Sequence, residues 1–216
     1  MKYDTILILD FGGQYCHLIG RRVREQSVYS EIVPHDITLT QIKALNTQFN
    51  VKGLILSGGP DSVYEKNAPK CDPAILQSKL PILGLCYGHQ LIAHLTGAKV
   101  EPARNKEYGL TTVTIEHPIG VLKGLSKKER VWMSHGDRIT ELPPGFRVVA
   151  SSEGAPFALI ANDERHYYGT MFHPEVVHTP HGAAIIRNFL THGCGLSGTW
   201  TTGSFVAESV AAIRRQ

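Results

Sequence analysis

Residues 81–90 read Pro81-Ile82-Leu83-Gly84-Leu85-Cys86-Tyr87-Gly88-His89-Gln90. Ile82–Leu85 is a short apolar run of strand length, and His89–Leu95 carries Leu91, Ile92 and Leu95 at helical spacing. The stretch therefore predicts a strand that turns directly into a helix. Gly84-x-Cys86-x-Gly88 has the G-x-nucleophile-x-G form of a strand-to-helix elbow, with cysteine in the serine position. Such an elbow lifts Sγ above the sheet and sets it at a helix N-terminus, where the positive end of the helix dipole attracts negative charge. The plain alternative is a buried cysteine packed at a strand end, the commoner fate of a lone Cys.

The same strand-then-helix pattern occurs upstream. Thr5–Leu9 ends at Asp10-Phe11-Gly12-Gly13, and Gln14–Glu25 can bury Leu18, Ile19 and Val23 opposite Arg21, Arg22 and Arg24. Tyr29–Val33 supplies another strand, and Gly53–Leu56 ends at Ser57-Gly58-Gly59-Pro60. Repeated βα units build a parallel sheet, and ligands bind beyond the carboxyl ends of its strands. Downstream, the β-rich runs Leu110–Ile115, Arg130–Met133, Arg147–Ala150, Ala158–Ala161 and Tyr167–Phe172 are separated by turn signals such as Pro143-Pro144-Gly145, and some should add antiparallel strands. A helix over Gly182–Leu190 closes the domain. The expected class is α/β: an open, mostly parallel central sheet flanked by helices, with additional antiparallel strands.

At 216 residues the chain fits one domain with something left over. The expected division is a domain over 1–192, a linker over 193–204, and a segment over 205–216 that begins a following domain. In that segment Phe205, Val206, Ser209, Val210 and Ile213 lie toward one side of an amphipathic helix. The alternative is a terminal helix that folds back on its own domain. Lys and Arg total 22 against 19 Asp and Glu, a net charge of +3, and they are scattered, which excludes the basic face of a nucleic-acid binder. No apolar run approaches the ~20 residues that span a bilayer, and the N-terminus lacks a signal-peptide pattern. The four cysteines form no C-x-x-C pair, so free thiols and a cytoplasmic location are expected.

A cysteine nucleophile needs a base. In Phe172-His173-Pro174-Glu175, residues i and i+2 of an extended segment point the same way, so Glu175 can orient a His173 that faces Cys86. A metal reading of His173, His178 and His181 lacks the i, i+4 helical pair and is interrupted by Thr179-Pro180, so no metal is expected. Backbone N–H groups of Tyr87 and of Gly59, in the Ser57–Pro60 loop, are the candidate oxyanion donors; an ordinary tight turn explains that loop equally well. Ser57-Gly58-Gly59-Pro60-Asp61-Ser62 also resembles a phosphate loop of ATP pyrophosphatase domains. That loop wants a helix directly after it, and Asn67-Ala68-Pro69 disfavours one.

Five segments in order, Leu7–Gly12, Leu56–Pro60, Pro81–Gln90, Trp132–Asp137 and Gly169–Glu175, together resemble the class I (triad-type) glutamine amidotransferase family over nearly all of residues 4–192. More narrowly, Asp10–Tyr15, Trp132–Asp137 and Gly198-Thr199-Trp200 resemble the amidotransferase part of GMP synthetases. The resemblance implies a flavodoxin-like sheet and a triad in which Cys86 attacks the side-chain amide of glutamine, His173 protonates the departing ammonia and Glu175 orients His173. It further implies oxyanion contacts from Gly59 and Tyr87. Gln90 and a turn formed by Ser134, His135, Gly136 and Asp137 would hold the α-amino and α-carboxylate groups of glutamine. It implies no cofactor in this domain. Mg-ATP and xanthosine 5′-monophosphate would belong to an ATP pyrophosphatase (synthetase) domain, in cis or on a separate polypeptide, and the full-length enzyme would be a homodimer. The chain ends at Arg214-Arg215-Gln216, which is expected of an excised domain or of a separate subunit with an unusual tail. Two alternatives stay open: a glutamine-binding module unproductive without its partner, and a related γ-glutamyl cysteine hydrolase.

Overall fold

Strand β1 (Asp4–Asp10) sends Ile6 and Ile8 into one hydrophobic cluster and Leu7 and Leu9 into another. Successive side chains of a strand point to opposite faces, so a continuous apolar run is a strand covered on both sides. The computed structural model describes residues 2–214, without the side chains of Arg104, Asn105, Glu208, Ser209, Ala211 and Ala212. Among the described residues β1 is joined by β2 (Tyr29–Pro34), β3 (Asn50–Leu56), β4 (Ile82–Leu85), β5 (Val100–Ile115), β6 (Lys128–Ile139), β7 (Arg147–Ser151), β8 (Leu159–Asn162) and β9 (Tyr167–Thr170). They form one sheet in the order β2-β1-β3-β4-β9-β8-β7-β5-β6. The neighbours from β2 to β9 pair in parallel, and those from β9 to β6 pair antiparallel. The helices are α1 (Cys16–Arg24), α2 (Leu39–Leu45), α3 (Tyr87–Leu95), α4 (Gly182–Asn188) and α5 (Thr202–Ile213). The parallel half has the open α/β arrangement expected, with strand order reversing at β1 and β3, where such sheets bind ligands.

Three elements differ from expectation. Helix α2 was not anticipated, although Thr38 and Gln41 form a reciprocal capping box at its start that is legible as T-x-x-Q. Helix α3 is buried nearly all round, from Tyr87 to Ala93, rather than along one apolar side. Ser134–Asp137 is not a turn: it lies inside β6, with His135 opposite Glu107 and Asp137 opposite Pro102. Its Ser-His-Gly-Asp composition reads as a loop. The backbone is nonetheless paired to β5, whose register shifts between Pro102 and Glu107 to keep the ladder going.

Residues 193–200 have linker composition but lie against the domain. Leu196 and Trp200 are buried, Leu196 N–H donates to the Leu190 carbonyl, and Trp200 N–H donates to the Ser27 carbonyl at 2.9 Å. Helix α5 starts at Thr202, before Phe205, and the Phe205 ring stacks on Tyr29 and packs against Tyr3 and Trp200. The first turn of α5 thus folds back, while Val206, Val210 and Ile213 remain exposed. The place of Ser209 on that face, Met1 of the expected domain, and Arg215 and Gln216 at the chain end lie outside the described residues.

Candidate active site

Strand β4 ends at Leu85 and α3 begins at Tyr87, which leaves Cys86 alone to make the turn. Its φ of 49° and ψ of −102° place a non-glycine residue in the positive-φ region that L side chains rarely occupy. Backbones cross closely around it. A Cβ on Gly84 would lie 2.4 Å from the Gly88 carbonyl oxygen, and one on Gly88 would lie 2.3 Å from that of Leu56. Both elbow glycines are therefore there for close backbone approach. Cys86 N–H donates to the Thr170 carbonyl at 2.8 Å, tying the elbow to the end of β9.

Beyond β9 the chain leaves the sheet, with one bridge between Phe172 and Met133, and carries His173 to the thiol. His173 Nε2 is 3.2 Å from Cys86 Sγ, and Nδ1 is 2.7 Å from Glu175 Oε1. Both residues are buried, and the Glu175 carbonyl accepts from Arg22 Nε at 2.8 Å. Burial works against charge on His173. It is outweighed by the attraction of Cys86 and its hydrogen bond, then by Glu175, and the imidazole is pushed up to about 11. The ring so keeps its proton through neutral pH. Tyr15 stands edge-on to that ring at 5.2 Å. The other two histidines of the metal reading go elsewhere: His178 packs on Trp132, and His181 Nδ1 is 2.6 Å from Glu129 Oε2.

A cavity of about 300 Å³ opens beside the thiol at the carboxyl ends of β1, β3 and β4, lined by Gly12–Tyr15, Gly58–Pro60, Ser134, His173 and Glu175. A second of about 480 Å³ shares Gly59, Pro60, Cys86 and Ser134 with it and adds Tyr87, Gln90, His135, Gly136 and Asp137. The structure so brings together every residue expected at the site. Within it, Gln90 Nε2 lies 3.4 Å from the Asp137 carbonyl. The Asp137 carboxylate accepts from Ser62 Oγ at 2.5 Å and from Tyr64 OH at 3.0 Å. His135 has Glu107 Oε2 at one ring nitrogen and the Asp137 carbonyl at the other. Tyr15, Ser62, Tyr64, Lys106 and Glu107 were not anticipated. No local spacing announces them: the 60–65 loop meets β6 through Asp137, more than 70 positions away in the chain. That loop is followed by no helix until the 3₁₀ turn Pro73–Gln77, and Ser62 is bound to Asp137, which fits a wall of this cavity better than a phosphate cradle.

His89, behind the elbow, is fully buried against Gly169, where a Cβ would lie 2.4 Å from Nδ1. Burial lowers it to about 4, against opposing backbone contacts at Gly169 and Phe157. The unfolded chain takes up this proton near pH 6.5 and the folded chain does so only near 4, so stability is whole above 6.5 and falls as pH drops across that window. The expected loss is about 3 kcal/mol. Urea midpoints from pH 7 to 4 should show a slope that His89→Leu flattens by about one proton; equal slopes in both proteins would remove His89 as the cause.

Known proteins share this fold. Residues 7–192 match the family described as glutamine amidotransferase class-I. The chain is 53% identical over 214 residues to a GMP synthase [glutamine-hydrolyzing] of Caldanaerobacter subterraneus, covering 99% of this chain and 41% of that one. It is 50% identical over 214 residues to the protein of the same name from Thermosynechococcus vestitus, covering 99% of this chain and 39% of that one. The chain thus spans about two fifths of the length of these curated relatives. A Thermoplasma acidophilum protein described as a GMP synthase subunit, known from its crystal structure, superposes with a TM-score of 0.79 at 32% identity, covering 100% of both chains. A glutamine amidotransferase from Thermotoga maritima shares the fold at a TM-score of 0.69 and 17% identity, over 91% of this chain and 100% of that one.

Proposed function

This chain belongs to the class I glutamine amidotransferase family, and from that membership we propose that it hydrolyses L-glutamine to glutamate and ammonia at Cys86, supplying the ammonia to an ATP-dependent synthetase that aminates xanthosine 5′-monophosphate to GMP. The observation that carries the reading is the unbroken line from Cys86 Sγ through His173 to Glu175, at 3.2 and 2.7 Å, on a backbone elbow strained at the nucleophile. Sγ attacks the carboxamide carbon, and the oxygen, now carrying the negative charge, is met by the N–H groups of Gly59 and Tyr87. His173 gives its proton to the nitrogen, the C–N bond breaks, and ammonia leaves a γ-glutamyl thioester. Neutral His173 then takes a proton from water as the water oxygen attacks the thioester carbon. The C–S bond breaks, glutamate departs, and the Cys86–His173 pair is restored with its proton on the ring.

Gln90, Ser134, His135, Gly136 and Asp137 are our choice for the glutamine contacts. The synthetase, with its Mg-ATP, lies in the part of the relatives that this chain does not span, and the whole assembly is taken to be a homodimer. Helix α5 is read as leading toward that synthetase part. Among the described residues no helix is long and apolar enough to cross a membrane. The free thiols of all four cysteines fit a reducing cytoplasm.

A specific observation favours a slow isolated chain. Both Asp137 carboxylate oxygens are engaged by Ser62 and Tyr64, so this group greets the α-amino end of glutamine already partly satisfied. Amide-¹⁵N glutamine followed by NMR, with the chain alone and with a separately supplied synthetase, tests the reading. Release of labelled ammonia, faster with the synthetase present, is expected. No release under either condition removes it.

A further inference from the structure

His173 sits where regular pairing has ended. Strand β9 stops at Thr170, and the following Pro174 has no N–H to contribute to any ladder. One side chain makes up the deficit. Thr179 is buried, its Oγ1 donates to the His173 carbonyl at 2.6 Å, and the same oxygen accepts from the Trp132 N–H of β6 at 3.1 Å. His173 N–H in turn donates to the Trp132 carbonyl at 3.0 Å. The hydroxyl is therefore a link in a closed hydrogen-bonded ring joining the base-bearing segment to the sheet. Its own backbone is fixed by Thr179 N–H to the Val176 carbonyl and by Gly182 N–H to the Thr179 carbonyl. No apolar residue of the same shape can both donate and accept here, and a buried carbonyl or N–H left alone is costly.

We propose that Thr179 is a positioning residue for His173: its hydroxyl pins the imidazole at hydrogen-bonding distance from Cys86. The inference rests on the reading of Cys86 and His173 as nucleophile and base. A catalytic pair must be held within about 0.5 Å of its working geometry, and a displacement of about 1 Å costs on the order of a hundredfold in rate.

The test compares Thr179→Val, which keeps the shape and loses the hydroxyl, with Thr179→Ser, which keeps the hydroxyl. Two readouts are taken: kcat and KM for glutamine hydrolysis, and the rate of iodoacetamide alkylation at Cys86 by peptide mass spectrometry across pH. The second needs no glutamine chemistry, so a wild-type chain that fails to hydrolyse glutamine leaves the test of Thr179 intact. In Thr179→Val, kcat and the alkylation rate at pH 7 should each fall at least tenfold with KM changed less than about threefold, and the pH–alkylation profile should shift. Thr179→Ser should keep both rates within about threefold of wild type. Either of two results overturns the proposal: a folded Thr179→Val with wild-type alkylation, or a Thr179→Ser as impaired as the valine variant. If the valine variant does not fold, Thr179→Ala takes its place, and the serine prediction stands by itself.

Discussion

Cys86→Ala is expected to lower glutamate release from glutamine by at least about 10⁴-fold, the scale of loss when the nucleophile of a triad is removed. What remains is the cavity, the oxyanion N–H groups and the His173–Glu175 pair, which can bind and polarise an amide but have nothing to form the thioester with. Cys86→Ser separates the sulfur from the geometry. It keeps a hydroxyl on the same strained backbone, but an alcohol yields its proton far less readily than a thiol, so no charged pair with His173 forms and the hydroxyl stays a weak nucleophile. Both variants should fold as wild type, because the thiol sits over a cavity rather than inside the core, and the elbow is held by the Cys86 N–H bond to Thr170. Glutamate measured by a coupled assay, beside thermal unfolding, checks this. A Cys86→Ala variant with more than about one hundredth of wild-type turnover would show that the attacking group lies elsewhere.

The chemistry of this site was written locally and its walls were not. Gly84-x-Cys86-x-Gly88 announces an elbow because both glycines answer to backbone contacts a few residues away, and His173-x-Glu175 announces a pair because extended backbone repeats every second residue. The substrate-side wall obeys no such local rule. Asp137 meets Ser62 and Tyr64 across 75 and 73 positions of the chain, although β6 is an edge strand far from β3 in the sheet, and Ser134–Asp137 looks like a turn until β5 supplies its ladder. Thr179 is similar, since its role depends on Trp132 lying opposite, 47 positions away in the chain. The tail misled in another way. Gly193–Gly198 has the composition of a free linker, but Gly198 runs so close to the Gln26 carbonyl that a Cβ would lie 2.8 Å from it, and Trp200 is buried just after. Composition reports which backbone conformations are accessible, and packing decides which of them are held.

Gly88→Ala separates the two uses of glycine most sharply, and its effect should be second only to loss of the thiol. The added methyl would meet the Leu56 carbonyl oxygen at 2.3 Å and Leu56 Cβ at 2.7 Å, both belonging to a central strand with neighbours on each side. Neither can yield as a flexible side-chain tip would. Helix α3 must therefore lift off β3, which breaks the Gly88 N–H bond to the Ser57 carbonyl and drags Cys86, two residues away, out of line with His173. Overpacking of this kind costs about 3 kcal/mol or more, or roughly 6–12 °C in Tm for a domain of this size. A shift of about 1 Å at the thiol adds on the order of a hundredfold loss of turnover in the molecules that remain folded. Gly203→Ala is the matched control: it lies in the first turn of α5, nothing stands within 4 Å of its Cβ position, and alanine is the better helix former by up to about 1 kcal/mol. It should leave turnover unchanged and raise Tm slightly or not at all. If Gly88→Ala matched Gly203→Ala in both melting and turnover, the close crossing of α3 over β3 would not be what holds the nucleophile in place.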